Sequence, residues 1–436
     1  MTRRFDRSGA LYERALKVIP TASQTFSKAA TGTVEGAAPL FLERGEGARV
    51  WDPDGNVYID YVMGLLPVVL GYRDPDVDGA IRTQLDRGIT FSLATELEAE
   101  LAESLCELIP CAEMVRFGKN GSDATSAAVR LARAFTGRDK IAICGYHGWH
   151  DWYIGTTARH LGVPQAIRDL SIAFPFNDLD ALEALLKAEP DRFAAVILEP
   201  EGLDAPLPGF LDAVRGLCDT YGVVLVFDEI ITGFRRHLGG AQAVHGVTPD
   251  LASFGKAMAN GMPISAIVGR GEIMRLMEDI FFSGTFGGEA LSLAASIATI
   301  DKLRRLDGPA KFAGMGARLR AGVATSLEAH GLTGELAQKG GDWWPAVVPT
   351  GKGRGDAILI GSLLKQELIE EGILMGPTFN LCLAHGATGV IEETLAAWHV
   401  AAGRLSEALA SNDPAGCLRG KPIRPVFQVR KHQTED

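Results

Sequence analysis

The 436 residues are 47% hydrophobic and 22% charged, an ordinary globular composition, and they are too many for one small core. A formal net charge of −11 repels phosphate backbones and sets nucleic acid aside as a partner. A local nest of backbone N–H groups could still hold one small phosphate.

The six cysteines (Cys106, Cys111, Cys144, Cys218, Cys382 and Cys417) are scattered, with no Cys-x-x-Cys pair. They read as small buried hydrophobes in a reducing compartment rather than as a disulfide framework. Met1 to Pro20 is charged throughout and lacks the apolar centre of a secretory signal. The longest apolar runs, such as Gly222 to Phe227, have strand length and cannot span a bilayer. A cytoplasmic protein with no membrane partner is the expectation.

In chain order, a helix is predicted at about Ser8 to Val18, followed by an arm or loop rich in Thr, Ser, Ala and Gly from Pro20 to Pro39. Leu40 to Tyr61 reads as short strands around the turn Asp52-Pro53-Asp54-Gly55-Asn56. From about Asp74, helices alternate with short apolar runs. Predicted helices cover Glu96 to Leu108, Asp123 to Phe135, Asp178 to Lys187 and Phe210 to Tyr221. Predicted strands cover Met114 to Phe117, Lys140 to Cys144, Phe193 to Leu198 and Val223 to Phe227. Such alternation indicates an α/β fold whose parallel strands are covered on both faces. Long helices follow near Leu291 to Arg305 and Ala310 to His330, then shorter elements and turns at Gly340 to Trp344 and Thr350 to Gly355. Ser411 to Asp436 reads as an extended tail. The expected division is an N-terminal arm with part of a small domain over 1–60, a large domain over 61–308, and the rest of the small domain over 309–436.

Five places carry chemistry. Asp228 ends the apolar run Val223 to Phe227, at the sheet edge where α/β proteins bind ligands. A carboxylate there suits a cationic partner such as a protonated pyridine nitrogen. A helix cap or a salt bridge to Arg235 would explain it equally. Lys256, after Leu251 to Phe254, is either an amine with a lowered pKa suited to Schiff-base chemistry or an ordinary loop lysine. Lys119-Asn120-Gly121-Ser122-Asp123 opens a helix directly after a strand, where free N–H groups favour phosphate, or where Ser122 or Asp123 simply caps the helix. Gly145-Tyr146-His147-Gly148-Trp149-His150 is a loop whose Tyr146 could lie over an aromatic cofactor. A zinc site from His147 and His150 lacks a third ligand, so no metal is expected. Phe282-Ser283-Gly284-Thr285-Phe286-Gly287-Gly288 is a second hydroxyl–glycine loop before a helix, either a phosphate contact or a turn.

Taken together in this order, these segments resemble the class III (ω-type) aminotransferases, enzymes dependent on pyridoxal 5′-phosphate (PLP) with the aspartate-aminotransferase fold. Within that class the chain is similar to glutamate-1-semialdehyde aminomutase and its relatives, including those found with polysaccharide biosynthesis. The likeness runs from Val18-Ile19-Pro20 to Pro425-Val426-Phe427. It is most specific at Arg130-Leu131-Ala132-Arg133-Ala134-Phe135-Thr136-Gly137-Arg138, Tyr146-His147-Gly148, Phe227-Asp228-Glu229 with Thr232-Gly233-Phe234-Arg235, and Phe254-Gly255-Lys256.

The resemblance implies PLP fold type I, a large domain with a mostly parallel sheet plus a smaller α+β domain. It implies that Lys256 holds the cofactor as an imine and shuttles protons, that Asp228 pairs with the pyridine nitrogen, and that Tyr146 and Ile230 cover the two ring faces. Gly121 and Ser122 would take the phosphate, Glu199 would lie near the ring, and Thr285 would complete the phosphate site of a neighbouring subunit in a homodimer.

The aminomutase places an arginine in the N-terminal arm for a substrate carboxylate. Here Lys28 stands at that position, with Thr25 at a neighbouring serine position, Leu65 for a tryptophan and Pro377 for a glutamate. Lysine cannot form the two-point fork of a guanidinium. The resemblance therefore favours an aminotransferase that moves an amino group from a small-molecule donor to a carbonyl acceptor such as a sugar, aldehyde or ketone. A 2,1-aminomutase is the alternative, and a catalytically silent PLP-fold binding protein a further one. A nicotinamide dehydrogenase is disfavoured, because Gly314-Met315-Gly316 lies inside a helical pattern with no third glycine.

Overall fold

The computed structural model describes residues 3–424. Pro425 to Phe427, where the family likeness ends, and the remainder of the expected tail lie outside them. The described residues form two compact units, one from 3–74 with 310–424 and the other from 75–309.

The second unit is built on a seven-stranded sheet. Across it the strands run Met114–Gly118, Ser265–Gly269, Leu251–Phe254, Val224–Asp228, Phe193–Leu198, Lys140–Cys144 and Ser171–Ala173. All pairings are parallel except those of Ser265–Gly269, which is antiparallel to both neighbours. Every residue of the four strands Phe193–Leu198, Val224–Asp228, Leu251–Phe254 and Ser265–Gly269 is buried, as a sheet covered on both faces requires. The helix Gly121–Thr136 lays an alanine-rich apolar stripe, Ala124, Ala127, Ala128, Leu131 and Ala132, against Ile141, Ile143, Ile197 and Val226. Each fully buried Ile or Val side chain contributes roughly 1.5–3 kcal/mol, and the alanines let helix and sheet approach closely.

Some boundaries differ from the sequence expectation. The helix predicted from Asp123 begins at Gly121. Its cap is Asn120, and Asp123 Oδ2 accepts the amides of Lys119 and Asn120 at 2.9 and 2.8 Å. Neither Ser122 nor Asp123 is itself the cap residue. The first helix spans Asp6–Leu16 rather than 8–18. Its start is fixed by Asp54, whose carboxylate accepts the amides of Arg7 and Ser8 at 2.7 and 2.9 Å.

In the first unit, Arg44–Glu46, Arg49–Trp51 and Val57–Asp60 form an antiparallel meander, to which Ile373–Leu374 adds in parallel. The Asp52 to Asn56 turn is closed by Asp52 Oδ1, which accepts the amides of Asp54 and Asn56, with Gly55 at φ 88°. A hairpin of Leu336–Lys339 and Ala346–Pro349 and the helices Ala357–Glu370 and Val390–Ala410 complete this unit. The arm from Pro20 to Gly32 is three single 3₁₀ turns. Among the described residues, no helix is long and apolar enough to cross a membrane.

Candidate active site

Four neighbouring strands bring their carboxyl ends to one edge of the large sheet. Cys144, Leu198, Asp228 and Phe254 lie at those ends, followed in three cases by Gly145, Glu199 and Gly255-Lys256. The strand order reverses between Lys140–Cys144 and Phe193–Leu198, the crevice where such sheets bind ligands. The amide of Tyr146 donates to Glu199 Oε2 at 2.9 Å across that point.

Asp228 is buried. Its Oδ1 accepts the Ile230 amide at 3.1 Å, and its Oδ2 lies 2.8 Å from His147 Nδ1. The carboxylate thus engages His147 and its own turn, not Arg235. His147 Nε2 lies 3.1 Å from the Cys144 carbonyl, so both ring nitrogens are engaged. Thr125 Oγ1 donates to the His147 carbonyl at 2.9 Å, which ties this loop to the helix Gly121–Thr136.

Lys256 has φ 40°, a left-handed conformation that costs a non-glycine residue on the order of 1 kcal/mol and that clusters at functional sites. Desolvation pushes its amine pKa down, opposed by the charges of Glu199 and Asp228 and assisted by Arg235. Burial and the Asp228 charge push Glu199 up, while His147, the Tyr146 amide and Lys256 pull it back. Desolvation, followed by Asp228 and Glu199, also raises the Tyr146 phenol. Tyr146 is 50% exposed and meets Tyr153 edge-on at 5.5 Å.

The start of the helix Gly121–Thr136 carries the donors an anion would need. Among the described residues, the amides of Gly121 and Ser122 have no acceptor. Ser122 Oγ accepts the Trp149 amide at 3.2 Å. Gly148, at φ 103°, packs so tightly here that a Cβ on it would collide with Ser122 Oγ. Ile230 lies against both Gly121 and Gly255, since a Cβ on either would stand 3.2 Å from its Cδ1.

The structure therefore gathers Lys256, Asp228, Glu199, Tyr146, Gly121, Ser122 and Ile230 in one unit. Thr285 is exposed in the 282–288 loop. Thr25 and Lys28 belong to the first unit, where Thr25 precedes the turn Phe26–Lys28. Leu65 also lies there, in a run of positive φ at Met63, Gly64, Leu65 and Leu66. His147 is the partner that sequence reasoning missed. Asp228 needed a buried donor, but that donor stands 81 residues away, a separation no local pattern reveals. His150 bonds Ser126 Oγ instead, and no group of side chains suited to a metal ion occurs among the described residues.

These features fit PLP. Two free amides stand at a helix start for the phosphate, an acid is held at a strand end for a ring nitrogen, and an amine whose charged form is disfavoured lies beside it.

Comparison with known proteins agrees. The model of the family "Aminotransferase class-III" matches residues 31–341. The chain is 39% identical over 389 residues, 87% of its length and 92% of the relative's, to 3-aminobutyryl-CoA aminotransferase of Cloacimonas acidaminovorans (strain Evry). It is 40% identical over 321 residues, 70% of its length and 73% of the relative's, to glutamate-1-semialdehyde 2,1-aminomutase of Syntrophobacter fumaroxidans. Among solved structures, the FumI protein of Sphingopyxis sp. MTA144 in its PLP internal aldimine form superposes with a TM-score of 0.87 at 32% identity, covering 95% of this chain and all of that one. The chain belongs to the class III aminotransferases, enzymes of PLP fold type I that use pyridoxal 5′-phosphate.

Proposed function

We propose that Lys256 is the residue that binds PLP and moves protons, in an aminotransferase whose substrate carries its amino group β to a carbonyl. The observation that carries the catalytic assignment is the Lys256 amine, desolvated and set between the Glu199 and Asp228 charges at the strand ends. The substrate class rests on the 39% identical relative, which is named for 3-aminobutyryl-CoA.

PLP, when bound, supplies an electron sink for a carbanion next to the amine. The rest is done by this chain. Amides of Gly121 and Ser122 would bind the phosphate, and the Asp228 carboxylate would hold the proton on the ring nitrogen. Tyr146 and Ile230 would enclose the ring and exclude water. The desolvated Lys256 Nζ would take the proton from the substrate carbon that bears nitrogen, because burial lowers its pKa and so favours the neutral, basic form. Thr285, exposed on its loop, would reach the phosphate of a second copy in a homodimer. Six free cysteines support a cytoplasmic, reducing location.

The second reading is a 2,1-aminomutase, favoured by the 40% identical relative of that name. The test is a donor screen on the PLP-loaded protein. 3-Aminobutyryl-CoA, 3-aminobutyrate, glutamate and alanine are added singly while the visible cofactor band is followed and released oxo acid is measured. Bleaching with stoichiometric 3-oxo product supports the β-amino reading. Cycling by glutamate-1-semialdehyde alone, with no separate donor, would establish the aminomutase instead.

A further inference from the structure

The first unit contains a cavity of about 290 Å³ that no part of the proposed chemistry uses. It lies between the helix Ala357–Glu370, the helix Val390–Ala410, the hairpin strand Ala346–Pro349 and the 375–377 segment, and its wall is almost wholly apolar. Leu364, Leu368, Ile358 and Val347 supply much of that wall. Gly32 of the arm closes one side, and Ile423 and Arg424 stand at another.

Within this apolar wall sits Lys365. Its Nζ donates to the Gly32 carbonyl at 2.5 Å and has no second acceptor among the described residues. Among the described residues no carboxylate lines the cavity, and the other charged residue of the lining, Arg424, is also a cation. Burial alone pushes the Lys365 pKa down to about 8, with no charged neighbour contributing, while part of the residue stays accessible through the cavity. Trp398, also in the lining, is fully buried, and its indole N–H has no acceptor among the described residues. A buried ammonium lacking a counter-charge and a buried N–H lacking an acceptor are each costly to leave unmet.

We propose that this cavity is a binding site for a free medium-chain aliphatic carboxylate, with the carboxylate on Lys365 and the chain along the apolar wall. The chemistry selects the head group: a carboxylate accepts from an ammonium and meets no like charge among the described lining residues. The volume selects the length. An apolar cavity of about 150 Å³ holds benzene, so one about twice as large takes roughly ten to twelve non-hydrogen atoms, the size of octanoate. The site lies wholly within the first unit, whereas Lys256 and Asp228 belong to the second.

The experiment is isothermal titration calorimetry of the PLP-loaded enzyme with octanoate, octan-1-ol and octylamine, repeated on Lys365→Met and Lys256→Ala. Methionine keeps the length and apolar bulk of the side chain while removing its charge. Octanoate should bind once per chain, about tenfold or more tighter than octanol, and octylamine should not compete. Lys365→Met should lose at least that tenfold preference with turnover unchanged, and Lys256→Ala should bind octanoate as the wild type does. The proposal is overturned if octanoate shows no saturable binding up to about 10 mM, if octanol binds equally well, or if Lys365→Met keeps the preference. It is equally overturned if octanoate competes with the amino donor, or if its uptake requires the oligomer to dissociate, which would make a second copy the occupant.

Discussion

His147 Nδ1 stands 2.8 Å from Asp228 Oδ2, while its Nε2 stands 3.1 Å from the Cys144 carbonyl oxygen. A carbonyl only accepts, so Nε2 is the donor to Cys144, and Nδ1 is the ring atom that faces the Asp228 carboxylate. The histidine thereby anchors the carboxylate that faces the ring nitrogen in the proposed site. His147→Phe should keep an aromatic ring there but remove both polar contacts. A hydrogen bond to a charged group contributes about 1.5–3 kcal/mol, so turnover should fall roughly 10- to 100-fold if that energy is expressed in the rate. Steady-state kcat on the PLP-loaded variant checks this, and unchanged kcat would remove His147 from the machinery.

Lys256→Ala should abolish turnover and the visible band of the lysine-bound cofactor together, because in the proposed site one amine would serve both. Asp228→Asn should retain the fold but lose about a hundredfold or more in rate, since a neutral amide cannot hold the ring proton electrostatically. Absorbance spectra and single-turnover rates decide both. A Lys256→Ala protein with full activity would defeat the assignment.

Gly148→Ala should weaken cofactor retention. The new methyl would meet Ser122 Oγ, and φ 103° is itself strained for alanine, so the phosphate cradle must shift. A loss of about tenfold or more in PLP affinity is expected, measured by equilibrium dialysis, with the melting temperature of the apoprotein falling less than that of the PLP-loaded form.

Lys365 has a folded pKa of about 8, below its unfolded value of about 10.4. Between those values the unfolded chain binds more protons, so stability rises with pH over that window, and below about pH 8 the full penalty remains. Lys365→Met should therefore be more stable than wild type at pH 7, by about 1–2 kcal/mol after allowing for partial solvent access and the lost bond to Gly32. The advantage should shrink as pH approaches 10. Denaturant melts at pH 7 and pH 10 test both sign and trend.

Much of the fold was legible in the sequence because its strands are buried on both faces. The apolar runs Phe193–Leu198 and Leu251–Phe254 stand where the composition placed them, and strand ends located Asp228 and Lys256. What was not legible depends on residues distant in sequence. The first helix starts where Asp54 accepts its amides, and the acid at the strand end is held by His147. Local spacing encodes neither. Lys365 illustrates the same limit: inside a helix rich in leucine and glutamate it reads as one more solvated cation, and only the fold shows that it faces an apolar wall.

The reversed strand Ser265–Gly269 has a kinetic consequence. Its pairing with Met114–Gly118 joins segments separated by about 150 residues, a long loop whose closure entropy must be met before the contact is rewarded. The helix proposed to take the phosphate begins three residues beyond Met114–Gly118, so its position is fixed only once that late pairing closes. During refolding, PLP capture should thus trail the recovery of helical signal, and the rate of cofactor uptake would report the completion of the sheet rather than the encounter with ligand.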